Sequence, residues 1–443
     1  MLAKTYNMIH RYFKLHQKGT YISKEITAGL TTFMAMAYII FVNPSILEAS
    51  GIPREAAIAA TIWSAALCSI AMGLFANLPI GMAPGMGINA FFSFYVCGTI
   101  GLPWQTALGA VFISGIVFLI LTVTKLRLLI IKAVPDSLKS AVVVGIGMFL
   151  AIIGLHGAGI VVKSEATMVT LGNLTDPKVF LSIIGFLLIA ILLTHRIKGA
   201  LVYGILAITL AGMVFGLDPY PTKVADVFSL DFPSLADTFM QMDIMGAISY
   251  GLVSVIFTFT IVELFDNLCT LIGVTKDAGL MDKKGNVEGM DKALLTDSVG
   301  TMASAVLGTC TVTSYVESTT GIKEGGRSGL TAITVGVLFL LTFFFAPLAG
   351  LIPAYATAPA IIVVGSMMMR SVKDIDFSDI TDSVPAFLTI VMMPLSYSIG
   401  NGFGFGFISY CILKTCTGKA KEISPIMWCI TAMFVASFYL HGI

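Results

Sequence analysis

From Gly246 to Val274 the chain reads GAISYGLVSVIFTFTIVELFDNLCTLIGV, a largely apolar run whose only charged residues are Glu263 and Asp266. About 20 apolar residues span the hydrocarbon of a bilayer, so this run is long enough to cross with both acids at membrane depth. A charge there costs at least ~2.5 kcal/mol on insertion scales and ordinarily faces a bundle interior or a wet cavity, where it marks a substrate or proton path. A third such acid, Glu317, lies in TCTVTSYVESTTGI (309–322). Acids held at that depth point to a transporter.

The run is one of many. Apolar stretches at 25–48, 55–78, 103–124, 137–156, 178–195, 199–216, 244–275, 291–308, 328–346, 353–371, 382–399 and 403–416 each read as a crossing. Two more, 79–99 and 309–323, are apolar but interrupted by Gly, Pro and polar residues. Together they predict an all-α polytopic membrane protein of 14 segments, with a further apolar segment at 424–440 whose side stays open. At 57% hydrophobic, 12% charged and a mean hydropathy of +0.93, the composition is far from the roughly 25% charged of soluble domains. A net charge of +1 carries no basic patch for nucleic acid.

Basic residues cluster at Lys4–Lys24, Lys125, Arg127 and Lys132, Arg196 and Lys198, Lys276–Lys292, Lys323 and Arg327, Arg370 and Lys373, and Lys414–Lys421. All fall on one side if the N-terminus is cytoplasmic, as positive residues favour. The long opposite loop, 217–243, holds five aspartates and one lysine. The first residues are amphipathic and basic and lack the pattern of a cleaved signal, so the expected location is the cytoplasmic membrane with the N-terminus inside.

The two interrupted segments sit in comparable places. PIGMAPGMGINAFFSF (79–94) is followed by GAVFISGIVFLIL (109–121), and TCTVTSYVESTTGI (309–322) by TAITVGVLFLLTF (331–343). Interruptions in matching positions of two halves mark the binding site of repeat-built carriers, which divides the chain into repeats at 1–217 and 218–443. Pro84, Gly85 and Gly87 deny the first break its helical bonds, and the Thr-rich run Thr309–Thr313 favours a short strand before a half-helix. Such non-helical backbone survives at this depth only when protein or water covers it.

Five segments in order, GLTTFMAMAYIIFVNP (29–44), GMAPGMGINAFFSF (81–94), VELFDNLCTLIGV (262–274), TVTSYVESTTGIKEGGRSGLTA (311–332) and SVPAFLTIVMMPLSYSI (383–399), resemble the AzgA-like purine permeases of the nucleobase cation symporter-2 family over nearly the whole chain. The resemblance implies fourteen helices in two inverted seven-helix repeats, arranged as a core domain that holds the base and a gate domain it moves against. It also implies proton-coupled uptake of hypoxanthine, guanine or adenine, with the proton as coupling ion and no other cofactor. By position, the family's binding acids match Glu263 and Glu317, its third-helix asparagine matches Asn89, and Asp266 matches an acid needed for transport.

The chemistry is consistent. A purine is a flat heterocycle with donors and acceptors on its rim, so its site needs apolar faces and a few fixed polar groups. Glu317 is the candidate for bidentate recognition of two N–H groups, with the backbone amides of Val316 and Glu317 serving acceptor atoms and Tyr315, Phe91 or Phe92 as stacking faces. Low dielectric favours the protonated carboxyl, which makes Glu263 the candidate proton carrier, coupled to Asp266 three residues on.

Plainer readings stand beside these. Each acid could cap a half-helix or bond a neighbour, Asn89 could be a packing amide, and Asp297, placed near a helix start, is as open to a helix N-terminal role as to a functional one. His156, His195 and His441 read as interfacial, and the seven cysteines as small core residues. GGRSG (325–329) lacks phosphate-loop spacing, and 276–291 reads as a solvated connector. An anion transporter of the same architecture, or a uracil or xanthine permease, is the alternative; an enzyme would need a clustered nucleophile and base. A homodimer stays open.

Overall fold

The computed structural model describes residues 2–249, 253–281 and 287–441. An amphipathic helix, α1 (Leu2–Tyr12), precedes a first crossing of α2 (Ile22–Met36) and α3 (Ile39–Glu48), kinked at Ala37 and Tyr38. The chain returns through α4 (Arg54–Ala71), then enters the broken third segment, β1 (Met82–Pro84) and α5 (Met86–Ala90), which continues as π-helical turns to Thr99. Next come α6 (Trp104–Val123), the short α7 (Leu126–Ala133), α8 (Asp136–Gly157), a hairpin of β2 (Val161–Ser164) and β3 (Met168–Leu171), α9 (Pro177–Thr194) and α10 (Ala200–Val214).

The second half opens with α11 (Ile244–Ser249), α12 (Val253–Asp277) and α13 (Met290–Leu307). Its break is β4 (Val312–Ser314) followed by α14 (Ser318–Lys323). The remainder is α15 (Gly329–Leu341), α16 (Ala346–Leu351), α17 (Ala354–Met368), α18 (Ile380–Leu395), α19 (Ile399–Cys416) and α20 (Pro425–His441). Among the described residues eight helices are long and apolar enough to cross a membrane, and shorter apolar helices and the two broken segments lie between them. The chain is a helical multi-pass membrane protein, as its hydropathy predicts. Part of the expected crossing 244–275 and of the connector 276–291 lies outside the described residues.

In lipid the backbone must satisfy itself, and the helix starts show how. Asp176 accepts from the amide of Lys178 with Pro177 in the first turn, while Ser328, Asp379 and Ser398 cap α15, α18 and α19. The helices pack in two groups. One joins α2, α3, α4, α6, α12, α13, α14 and α15 with both short strands; the other joins α8, α9, α10, α17, α18 and α19. Contacts of α12 with α8 and α19, of α5 with α8, and of α3 with α17 connect them.

One boundary differs from its sequence expectation. The expected spans end at 399 and resume at 403; instead the turn lies at Ser396–Ser398 and Gly400–Gly406 are inside α19. They permit close approach. A methyl on Gly402 would stand 2.2 Å from Met393 Cγ, and one on Gly406 1.8 Å from Thr389 Oγ1. Gly406→Val should therefore destabilise the protein by about 1–3 kcal/mol through overpacking, read as a lower melting temperature in detergent. Gly350→Ala, where a methyl meets nothing within 4 Å, should melt like the parent.

Candidate functional site at two crossed breaks

The two interruptions meet. β1 and β4 pair antiparallel, Met82 opposite Ser314, Ala83 opposite Thr313 and Pro84 opposite Val312. The Tyr315 amide donates to Gly81 O at 3.0 Å, and Gly85 N donates to Thr311 O at 3.0 Å. Side chains finish the work: Ser69 Oγ bonds both the N–H and the C=O of Met82 at 2.9 Å, Ser318 Oγ accepts from Gly81 N at 3.0 Å, and Tyr315 Oη donates to Pro84 O at 2.6 Å. Pro84 loses nothing at a strand end, since it has no N–H to place. Every residue of both strands is buried, so an extended backbone at this depth is covered by protein.

Three expected site residues gather around this crossing. Glu317, at the start of α14, makes no side-chain cap; its Oε1 accepts from the Tyr38 hydroxyl at 2.7 Å, across from the kink between α2 and α3. Asp266 approaches the other break, where a methyl on Gly85 would lie 3.7 Å from its Oδ2. Val316 is 56% exposed between buried Tyr315 and half-buried Glu317, and its amide makes no hydrogen bond among the described residues, so an open position with a free donor remains at the half-helix start.

Asn89 is fully buried on α5. Its Nδ2 donates to Asn43 Oδ1, and Asn43 Nδ2 in turn reaches Thr61 Oγ1 at 2.8 Å and Thr309 Oγ1 at 3.2 Å. The amide is thus pinned from one side, while Asn89 Oδ1 has no protein partner. Glu263 is equally buried; Thr301 Oγ1 donates to its Oε1 and its Oε2 has no partner. Although three residues apart on α12, the two acids meet different neighbours. Asp266 lies near Glu317, whereas Glu263 lies among Asp297, Arg127 and Asp266.

Of the aromatic candidates, Tyr315 is buried with its hydroxyl committed to Pro84, and Phe92 is fully enclosed. Phe91 stacks on Tyr95 and meets Phe259 edge-on, each at 5.2 Å between centroids. Phe91 and Tyr95 line a cavity of about 270 Å³ with Thr258, Ser398, Asn401 and Phe434. Phe259 is one turn from Glu263, so the cavity approaches the acids from the side where α12 begins.

Two sequence expectations are corrected. Arg127 was grouped with surface lysines, yet it is 1% exposed, its guanidinium lies 4.0 Å over the Phe118 ring, and Nη2 pairs with Asp297 Oδ2 at 3.2 Å. Asp297 is not a terminal residue but sits within α13, fully buried. Nothing in sequence spacing joins positions 127 and 297; the tell is only that α7 is short and amphipathic. Tyr38, Asn43, Thr61 and Thr301 were likewise missed, being polar residues scattered singly in apolar runs.

The GGRSG loop also gains a structural meaning. Buried Glu25 accepts from the amides of Arg327 at 2.9 Å and Ser328 at 3.2 Å and from Thr331 Oγ1 at 2.6 Å. A carboxylate of the chain itself occupies the donors that a phosphate loop would aim at a ligand.

A family model described as "Permease family", for xanthine and uracil permeases, matches residues 23–405. The chain is 45% identical to the adenine permease AdeP of Escherichia coli K12, over 97% of this chain and 95% of that one. It is 44% identical to the guanine/hypoxanthine permease PbuG of Bacillus subtilis, over 96% and 98%. In fold it is similar to the transmembrane domain of the cyanobacterial bicarbonate transporter BicA, with a TM-score of 0.66 at 14% identity over 86% of this chain and 97% of that one. Full-length matches of this kind leave one assignment: the chain belongs to the xanthine/uracil permease family and is a permease, not an enzyme.

Proposed function

We propose that the chain is a proton-coupled symporter that imports purine nucleobases, hypoxanthine, guanine or adenine, across the cytoplasmic membrane. The observation that carries the substrate class is end-to-end similarity, at 44–45% identity, to permeases named for adenine and for guanine and hypoxanthine. In this reading the chain makes fourteen crossings in two inverted repeats, 1–217 and 218–443, with the N-terminus inside. The group built on the crossed strands is the core and the group around α8 and α17 is the gate, and alternating access is the movement of one against the other.

Glu317, oriented by Tyr38, takes the N–H edge of the base, while the Val316 amide serves an acceptor atom and Asn89 Oδ1 takes a further N–H. Tyr315 holds the break in shape, and Phe91 supplies a stacking face. Glu263 carries the proton with Asp266 beside it, and the base binds well only when that pair is protonated. The anion reading finds less support: the buried guanidinium of Arg127 is already paired with Asp297, and likeness to BicA extends to fold alone.

Glu263→Gln should keep exchange of labelled for unlabelled purine while abolishing accumulation in energised cells; unchanged accumulation would contradict the role. Tyr38→Phe removes the hydroxyl on Glu317. A charge-assisted bond of this type is worth about 1.5–3 kcal/mol, so KM for the preferred purine should rise roughly 10-fold or more with normal protein in the membrane. An unaltered KM would remove Glu317 from the binding edge.

A further inference from the structure

Glu263, Asp297 and Arg127 form a cluster in which each residue is at most 1% exposed. Asp297 and Thr301 lie four residues apart on one face of α13, Asp297 holding Arg127 and Thr301 holding Glu263. The Asp297 and Thr301 positions are therefore about one turn, ~6 Å, apart along the helix. Each keeps one oxygen without a protein partner, Oε2 of Glu263 and Oδ1 of Asp297. The other titratable groups facing the cluster are Asp266 on α12, the Cys68 thiol on α4 and the buried Cys310 thiol before β4.

Charge counting constrains this cluster. Arginine keeps its proton in proteins, and an uncompensated buried charge is costly. Two carboxylates beside one fixed cation are neutral only when they hold one proton between them. Beyond Arg127 the structure opens: a cavity of about 230 Å³ is lined by Arg127, Thr122, Lys125, Asp291, Leu294 and Leu295, with Lys125 and Asp291 exposed at its mouth.

We propose that Asp297 and Arg127 form a proton passage from Glu263 to this cavity, separate from the path of the base. The inference rests on the symport reading and deepens it. One proton leaves Glu263 Oε2 and is taken up at Asp297 Oδ1, directly or across one bridging water; Asp297 then gives it to solvent in the cavity and returns to its ionised, Arg127-paired form. No electron moves, and Arg127 stays protonated as the counter-ion. Asp297 and Arg127 contact no base and act through Glu263, so they are positioning and relay groups that fix one proton per cycle.

The test uses the full-length protein in proteoliposomes, with labelled hypoxanthine, guanine or adenine, whichever the parent takes up. Parent protein that does not accumulate any of them on an imposed proton gradient would refute the symport reading itself. Given accumulation by the parent, the double variant Arg127→Met with Asp297→Asn, which removes both charges together, should cut gradient-driven accumulation at least 10-fold and flatten its dependence on internal pH, with exchange reduced far less. Accumulation within twofold of the parent, or exchange lost in parallel with accumulation, would overturn the passage. Leu295→Trp fills the cavity while leaving every charged residue in place; it should slow accumulation at least threefold with exchange unchanged, and normal accumulation would again overturn it.

Discussion

The antiparallel pairing of Met82–Pro84 with Val312–Ser314 is the constraint on which the rest depends. Each break alone would leave bare N–H and C=O groups in a medium without water, at several kcal/mol apiece. Paired, the two satisfy each other, and Ser69, Ser318 and Tyr315 take most of what remains. The pairing also ties distant parts of the chain together at one point, so that five residues from four segments, Tyr38, Asn43, Asn89, Asp266 and Glu317, surround a single place.

The site is polar in a particular way. Glu317, Asn89 and Glu263 each have one atom fixed by a neighbour and, for Asn89 and Glu263, a second atom left bare. A fixed atom sets the direction of the bare one, which is how a few groups recognise a planar ligand at low entropic cost. Buried polar atoms without partners are rare in folded proteins and call for an explanation; in the proposed function a substrate and a proton supply it. The small-residue packing of α18 against α19 and the Glu25 clamp on α15 serve rigidity instead.

Much of this was legible in the sequence. Lengths of apolar runs placed the helices, and Pro84, Gly85 and the threonines before Tyr315 located both breaks, because helix interruption at membrane depth needs residues of that kind. The three acids stood out because charge in such runs is expensive. What could not be read is tertiary: Arg127 looks like a surface cation until α7 is seen folded under Phe118, and Asp297 finds meaning only through that partner. The turn before α19 lies at 396–398 rather than at the expected 400–402, because hydropathy alone does not separate a glycine that ends a helix from one that lets another helix close. The β2–β3 hairpin left no signal beyond a polar gap between two crossings.

The central claim is that a proton gradient drives purines through this site. Its most direct test is uptake of labelled hypoxanthine, guanine, adenine, uracil and xanthine by cells lacking their own nucleobase permeases, with and without a protonophore. The account predicts concentrative uptake of at least one of hypoxanthine, guanine and adenine that collapses when the gradient is dissipated. Uptake of none of the five above background, or purine uptake indifferent to the protonophore, would contradict it.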